Sequence, residues 1–209
     1  GAMLKDFRAA AAKDEVQGTG QWMRDNGIIK AGDSVEDVAT KAEAIRADAG
    51  KRLSDVYSKA KDTIGKLPDK EMAAFEDSGF NPIRDKEAIV SQAKDALGDS
   101  PGAKSASTQL SNYLGDLGEK YGNTTLDTKK SNEIKTAIDK TIKYSRNPLN
   151  PQPDSEAAFQ SARRFISGQI DKDIENVGKV SGEDTLKALK DANRDYGYAA
   201  QVKNIAEDK

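Results

Sequence analysis

Apolar residues recur along one segment as Val38, Ala42, Ile45, Ala49, Leu53, Val56, Ala60, Ile64 and Leu67, always three or four positions apart. Positions 38, 49 and 60 are eleven apart, as are 42, 53 and 64, and 45, 56 and 67. An eleven-residue repeat averages about 3.67 residues per turn, so the stripe stays nearly straight along one helix. The pattern predicts a single helix from Ser34 to Leu67, roughly 50 Å long at about 1.5 Å per residue. These nine residues are its expected helix-packing face, and the element reads as a strut rather than a pocket.

Other helices follow from the same periodicity and from start and stop signals. Leu4 to Asn26 reads as a helix led by Phe7 and the alanines at 9–12, interrupted in quality by Gly18 and Gly20 and closed by Gly27. Asp33 with Glu36 resembles a capping box opening the strut, and Pro68 ends it. A short helix is expected over Asp69 to Asp77, stopped by Ser78-Gly79. Asn81-Pro82 reads as a cap and first-turn proline for a helix running to Leu97. Residues 98–102, Gly-Asp-Ser-Pro-Gly, are a break.

Helix resumes from Ala103 to Tyr121, and Thr124 with Asp127 starts another that reaches Arg146 with Ile134, Ile138 and Ile142 in line. Three prolines between Asn147 and Pro153 predict an extended segment. Asp154 begins the next helix, with Phe159, Ala162, Ile166, Ile170, Ile174 and Val177 on one face. Ser181 with Asp184 reads as a capping box for a final helix carrying Leu186, Leu189 and Tyr196. No segment alternates as a strand would. The expected fold is all-α, an elongated antiparallel helical bundle of about seven helices with the strut as spine. Its expected division is a segment 4–98 and a segment 103–209, or one continuous elongated domain.

Composition sharpens this picture. Charged residues make up 33% of the 209, above the roughly 25% of an average domain, yet the net charge is only −2. The 28 alanines favour helix and close helix approach while adding little buried area each, which suits a thin core spread along long helices. The chain has no Cys, which excludes disulfides, thiolate metal sites and Cys nucleophiles. It has no His, which removes the usual general base and the commonest transition-metal ligand. No stretch approaches the roughly 20 apolar residues of a membrane span. Gly1-Ala2-Met3 reads as a remnant of tag removal, and the ends, without capping signals, are expected to be cuts within a larger chain.

No catalytic, cofactor-binding or metal-ligating residue is assigned, and no cofactor is expected. Gln17-Gly18-Thr19-Gly20 lacks the preceding strand and following Lys-Ser or Lys-Thr of a phosphate loop, so these glycines are read as permitting a bend or close packing near Trp22. Paired carboxylates such as Glu36-Asp37 and Asp171/Asp173 could suggest glycoside hydrolysis, which needs two carboxylates roughly 5–10 Å apart across a cleft. Interleaved with Lys and Arg, they are expected on solvated helix faces with ordinary acidity. No Asp-x-Asp-x-Asp-Gly calcium loop is present. Lys129, Lys130, Lys135, Lys140, Lys143 and Arg146, with Tyr144 among them, form the most basic stretch. They scatter around their helix, which argues against a nucleic-acid face. Asn193, in line with Leu189 and Tyr196, fits either a buried register-fixing polar residue or an interface edge. The proline segment reads as a rigid interhelix loop ahead of a groove-binding ligand. Ser58-Lys59 and Lys104-Ser105 are adjacent in sequence and so do not face each other on a helix.

The stretch Trp22-Met23-Arg24-Asp25-Asn26-Gly27-Ile28-Ile29-Lys30-Ala31-Gly32-Asp33, followed by the long helix through Gly50 and Val56-Tyr57, resembles segments of very large helical proteins of phages and prophages. Leu189-Lys190-Asp191-Ala192-Asn193-Arg194-Asp195-Tyr196 is similar to the close of such regions. The resemblance implies a virion-associated or ejected protein with a structural or delivery role, and it carries over no functional residue. The expected function is a non-catalytic helical scaffold, spacer or protein-interaction module of a larger protein, partnered by other protein segments or subunits. The alternative is the helical part of a carboxylate-dependent cell-wall hydrolase whose active site lies partly outside this chain. The stripe can be buried by helices of the same chain or by a second copy. The amphipathic helices after Thr124 favour the monomer.

Overall fold

The computed structural model describes residues 17–207. Among them the chain is all-α, with eight helices and no strand: α1 Gln17–Asp25, α2 Val35–Gly65, α3 Asp69–Ser78, α4 Lys86–Leu97, α5 Ala103–Tyr121, α6 Thr128–Ser145, α7 Pro153–Ser181 and α8 Thr185–Glu207. None of these helices is long and apolar enough to cross a membrane. The expected helix over residues 4–16 and the tag remnant lie outside the described residues.

Several starts differ from expectation because caps are decided by local geometry. Ser34, not Asp33, caps α2: its Oγ accepts from the Asp37 N–H at 3.1 Å while Asp37 Oδ2 accepts from the Ser34 N–H at 3.0 Å, a reciprocal box one residue on from the expected pair. Asp33 instead accepts from the Lys30 N–H and from Lys41 Nζ. Asn81 caps a single turn, with Oδ1 accepting from the Ile83 and Arg84 N–H groups, and α4 begins only at Lys86. Asp127 alone caps α6 by accepting from the Lys130 N–H at 2.8 Å, so that helix begins at Thr128 rather than Thr124.

The proline segment is not extended throughout. Asn147 to Asn150 closes a turn, and Pro153 occupies the first turn of α7, where its missing N–H costs nothing. Ser181 belongs to the end of α7, whose stop is Gly182 at φ +73°, so the expected box opening at Ser181 does not form.

The chain divides into two compact units that do not follow the 98–102 break. Unit one holds residues 17–56 and 187–207, and unit two holds residues 57–186.

Unit one is built on a cluster of Trp22, Met23, Ile28, Val38, Ala42, Ala199, Val202 and Ala206. The end of α1 sets its geometry. Gly27 at φ +62° lets its own N–H reach the Arg24 carbonyl while the Ile28 N–H reaches Met23, the double closure of a Schellman motif. Ile28 and Met23, brought together by that turn, are both fully buried. Tyr198 tilts over Trp22 with centroids 5.8 Å apart, and a Cβ at Gly18 would stand 2.5 Å from Tyr198 Oη, so Gly18 serves close packing.

Unit two is organised around α7, which packs against α3, α4, α5 and α6. Phe159, Ala162, Ile166, Ile170, Ile174 and Val177 are all buried on it. Asp154 and Glu156 suit the positive end of its dipole, and Asp154 Oδ2 also accepts from the Gly102 N–H at 3.0 Å, tying down the break between α4 and α5.

Candidate functional site

The nine stripe residues divide by size. Val38, Ala42, Ala49 and Ala60 are fully buried, whereas Ile45, Leu53, Val56, Ile64 and Leu67 are half-buried. The small residues mark where α2 is approached closely, and the larger ones border that contact.

The feature with altered chemistry lies elsewhere, where four pieces of unit two meet at Asp173. Ser78 ends α3, Gly79 turns the chain, residues 81–85 form the capped turn, and residues 123–126 run beside them. The Leu126 N–H donates to the Phe80 carbonyl at 2.8 Å, Thr125 Oγ1 to the Glu76 carbonyl at 2.8 Å, and Asn81 Nδ2 to Asn123 Oδ1 at 3.0 Å. Asp85 Oδ2 closes the turn by accepting from the Asn81 N–H at 2.9 Å.

Into this corner α7 presents Asp173, only 5% exposed, whose Oδ1 accepts from Ser78 Oγ at 2.7 Å. Arg84 lies nearby, but its guanidinium is engaged with Asp85, with the Glu76 carbonyl at 2.9 Å and with the Gly79 carbonyl. Burial pushes the Asp173 carboxyl up to about 6; the Ser78 hydrogen bond and the Arg84 charge offset that only in part. The expectation that Asp171 and Asp173 both sit in water with ordinary acidity is therefore corrected for Asp173. Helical arithmetic contains the signal: 173 is three after Ile170, seven after Ile166 and four before Val177, within the apolar face.

A second cluster joins α2, α6 and α7. The Tyr57 hydroxyl is buried without a hydrogen bond among the described residues, and burial, then the Asp171 charge, push it up to about 12. Lys135 is held below its usual range by burial and by the Arg163 charge, against the pull of Asp139 and Asp171. Arg163 donates to Asp139 across α6 and α7. Asn193 is half-buried.

In unit one Asp195 takes the comparable structural place. Its carboxylate accepts from Trp22 Nε1 at 3.0 Å and from Arg52 at 2.7 Å. Burial alone would raise it, but these two donors and the charges of Arg52 and Arg194 outweigh burial and hold it below the usual range.

A general acid must reach its substrate by a hydrogen bond or through one water. Asp173 Oδ1 is taken by Ser78, and a Cβ on Gly79 would stand 3.1 Å from Oδ2, so the carboxyl faces protein on both oxygens. Among the described residues no group of three or more Asp or Glu is placed to hold a metal ion. No protein-family model, curated protein or solved structure matches the chain.

Proposed function

We propose that this chain is a non-catalytic helical scaffold or spacer, acting through protein contacts as part of a larger protein of phage or prophage origin. The observation that carries the reading is the use of the acidity-shifted carboxylate: Asp173 ties α3 and its following turn to α7, with both oxygens against protein. The phage origin rests on the resemblance of residues 22–33 and 189–196. Contact with other protein segments is supported by the end of α6 and the connection that follows it, where Tyr144 is 67% and Leu149 94% exposed. The monomer is the favoured state, because Val38, Ala42, Ala49 and Ala60 are already buried within one chain. Light scattering at micromolar concentration tests it, with one chain mass expected.

The cell-wall hydrolase alternative draws on the same residue, since an acid titrating near neutrality is what general-acid catalysis requires. Incubation with peptidoglycan, esters, nucleotides and peptides separates the two readings. The scaffold reading expects no turnover. Reproducible hydrolysis that Asp173→Asn abolishes, with the fold intact, would replace it with the hydrolase.

A further inference from the structure

We propose that the Asp173 junction is an acid-tightened latch: protonation of this carboxyl group firms the corner formed by α3 and residues 79–85 against α7, and its ionisation loosens that corner. A carboxylate removed from water needs several donors to replace its hydration. Asp173 receives one hydrogen bond, from the neutral Ser78 hydroxyl, while the nearby guanidinium of Arg84 gives its own hydrogen bonds to Asp85, Glu76 and Gly79.

The charges that bear on this carboxyl come from the elements around it. Arg84 acts on it directly, and Asp85 and Asp77 act on Arg84 and so dilute its pull. From the 123–126 segment the neighbour is the Thr125 methyl, 2.5 Å from where a Gly79 Cβ would stand. On α6 the charges facing α7 are Lys135 and Asp139: Asp139 pairs with Arg163, and Lys135 feels Arg163, Asp139 and Asp171. The ionised form is therefore under-compensated. The protonated form keeps the Ser78 contact and sheds the charge.

The device can be read in isolation because the chain contains no His. Ordinary side chains leave the interval between pH 5 and 7 silent when His is missing, and the carboxyl at about 6 titrates inside it. Opening the corner returns Asp173 to water and to its ordinary value near 3.8. The linked opening equilibrium is then about tenfold more favourable at pH 7 than at pH 5.

Hydrogen exchange of the full chain, corrected for the intrinsic pH dependence of exchange, tests this over residues 76–85 and 123–126. Protection should rise about tenfold from pH 7 to pH 5 in the wild type, and Asp173→Asn should flatten that rise. An equal rise in both proteins, or protection that falls on acidification, overturns the latch. A carboxyl-carbon NMR titration of the unaltered protein needs no variant: a midpoint near 6 for Asp173 supports the latch, and one near 4 overturns it.

Discussion

At Gly79 the backbone is ordinary, with φ −75°, so its requirement is steric rather than conformational. An added Cβ would stand 2.5 Å from the Thr125 methyl and 3.2 Å from the Phe75 carbonyl, besides crowding Asp173. Gly79→Ala should therefore cost about 1–3 kcal/mol through forced displacement of packed atoms, read as a lower denaturation midpoint with an unchanged slope. Gly168 is the opposite case. It lies inside α7 with nothing within 4 Å of its Cβ direction and no positive φ. Gly168→Ala should stabilise by about 0.5–1 kcal/mol, because it removes backbone freedom from the unfolded chain at no steric expense. The same denaturation series checks both signs.

Among the elements, α2 is the longest at 31 residues, but the packing centre of unit two is the 29-residue α7. The difference lies in the width of the buried face. On α7 branched and aromatic side chains bury over successive turns, while α2 reaches full burial only at Val38, Tyr57, Ala42, Ala49 and Ala60. Close approach along an alanine line leaves no volume for a longer side chain. Ala49→Leu should accordingly destabilise by about 1–3 kcal/mol, measured by chemical denaturation. Next to it, a Cβ on Gly50 would already meet the Tyr196 ring at 3.7 Å, so the neighbouring turn offers little relief. An unchanged stability would show that α2 can move away there.

For the whole molecule, acid acts with opposite sign in the two units. Asp173 binds its proton more tightly folded than unfolded. Its favourable contribution is complete below about 3.8 and is lost as pH rises through about 6. Unit two should thus gain about 1 kcal/mol between pH 7 and pH 5. Asp195 is held below its usual range, so the stability it supplies to unit one is present above that range and disappears as pH falls below it. Segment-resolved hydrogen exchange should show protection rising in unit two on the way to pH 5. Protection in unit one should then fall once the pH drops below about 4. A common response in both units would contradict this assignment.

The existence and order of the helices were legible in the sequence because helical periodicity is local: three- and four-residue apolar spacing suffices to place α2, α5 and α7 within a few residues. Cap identities were less legible. Asp33 and Ser34, or Thr124 and Asp127, carry equivalent chemistry, and the path of the incoming chain selects between them. Asp173 was misplaced in water because its acidic type outweighed its position, although its spacing from Ile166, Ile170 and Val177 already set it on the buried face. Which helices share a core was a tertiary decision. Residues 17–56 pair with residues 187–207 across most of the chain, and Ser78, Gly79 and Thr125 converge on Asp173 from distant positions. Periodicity states that a face will be buried. Only the packed structure determines what buries it, because the choice depends on shape and on polar pairing between segments far apart in sequence.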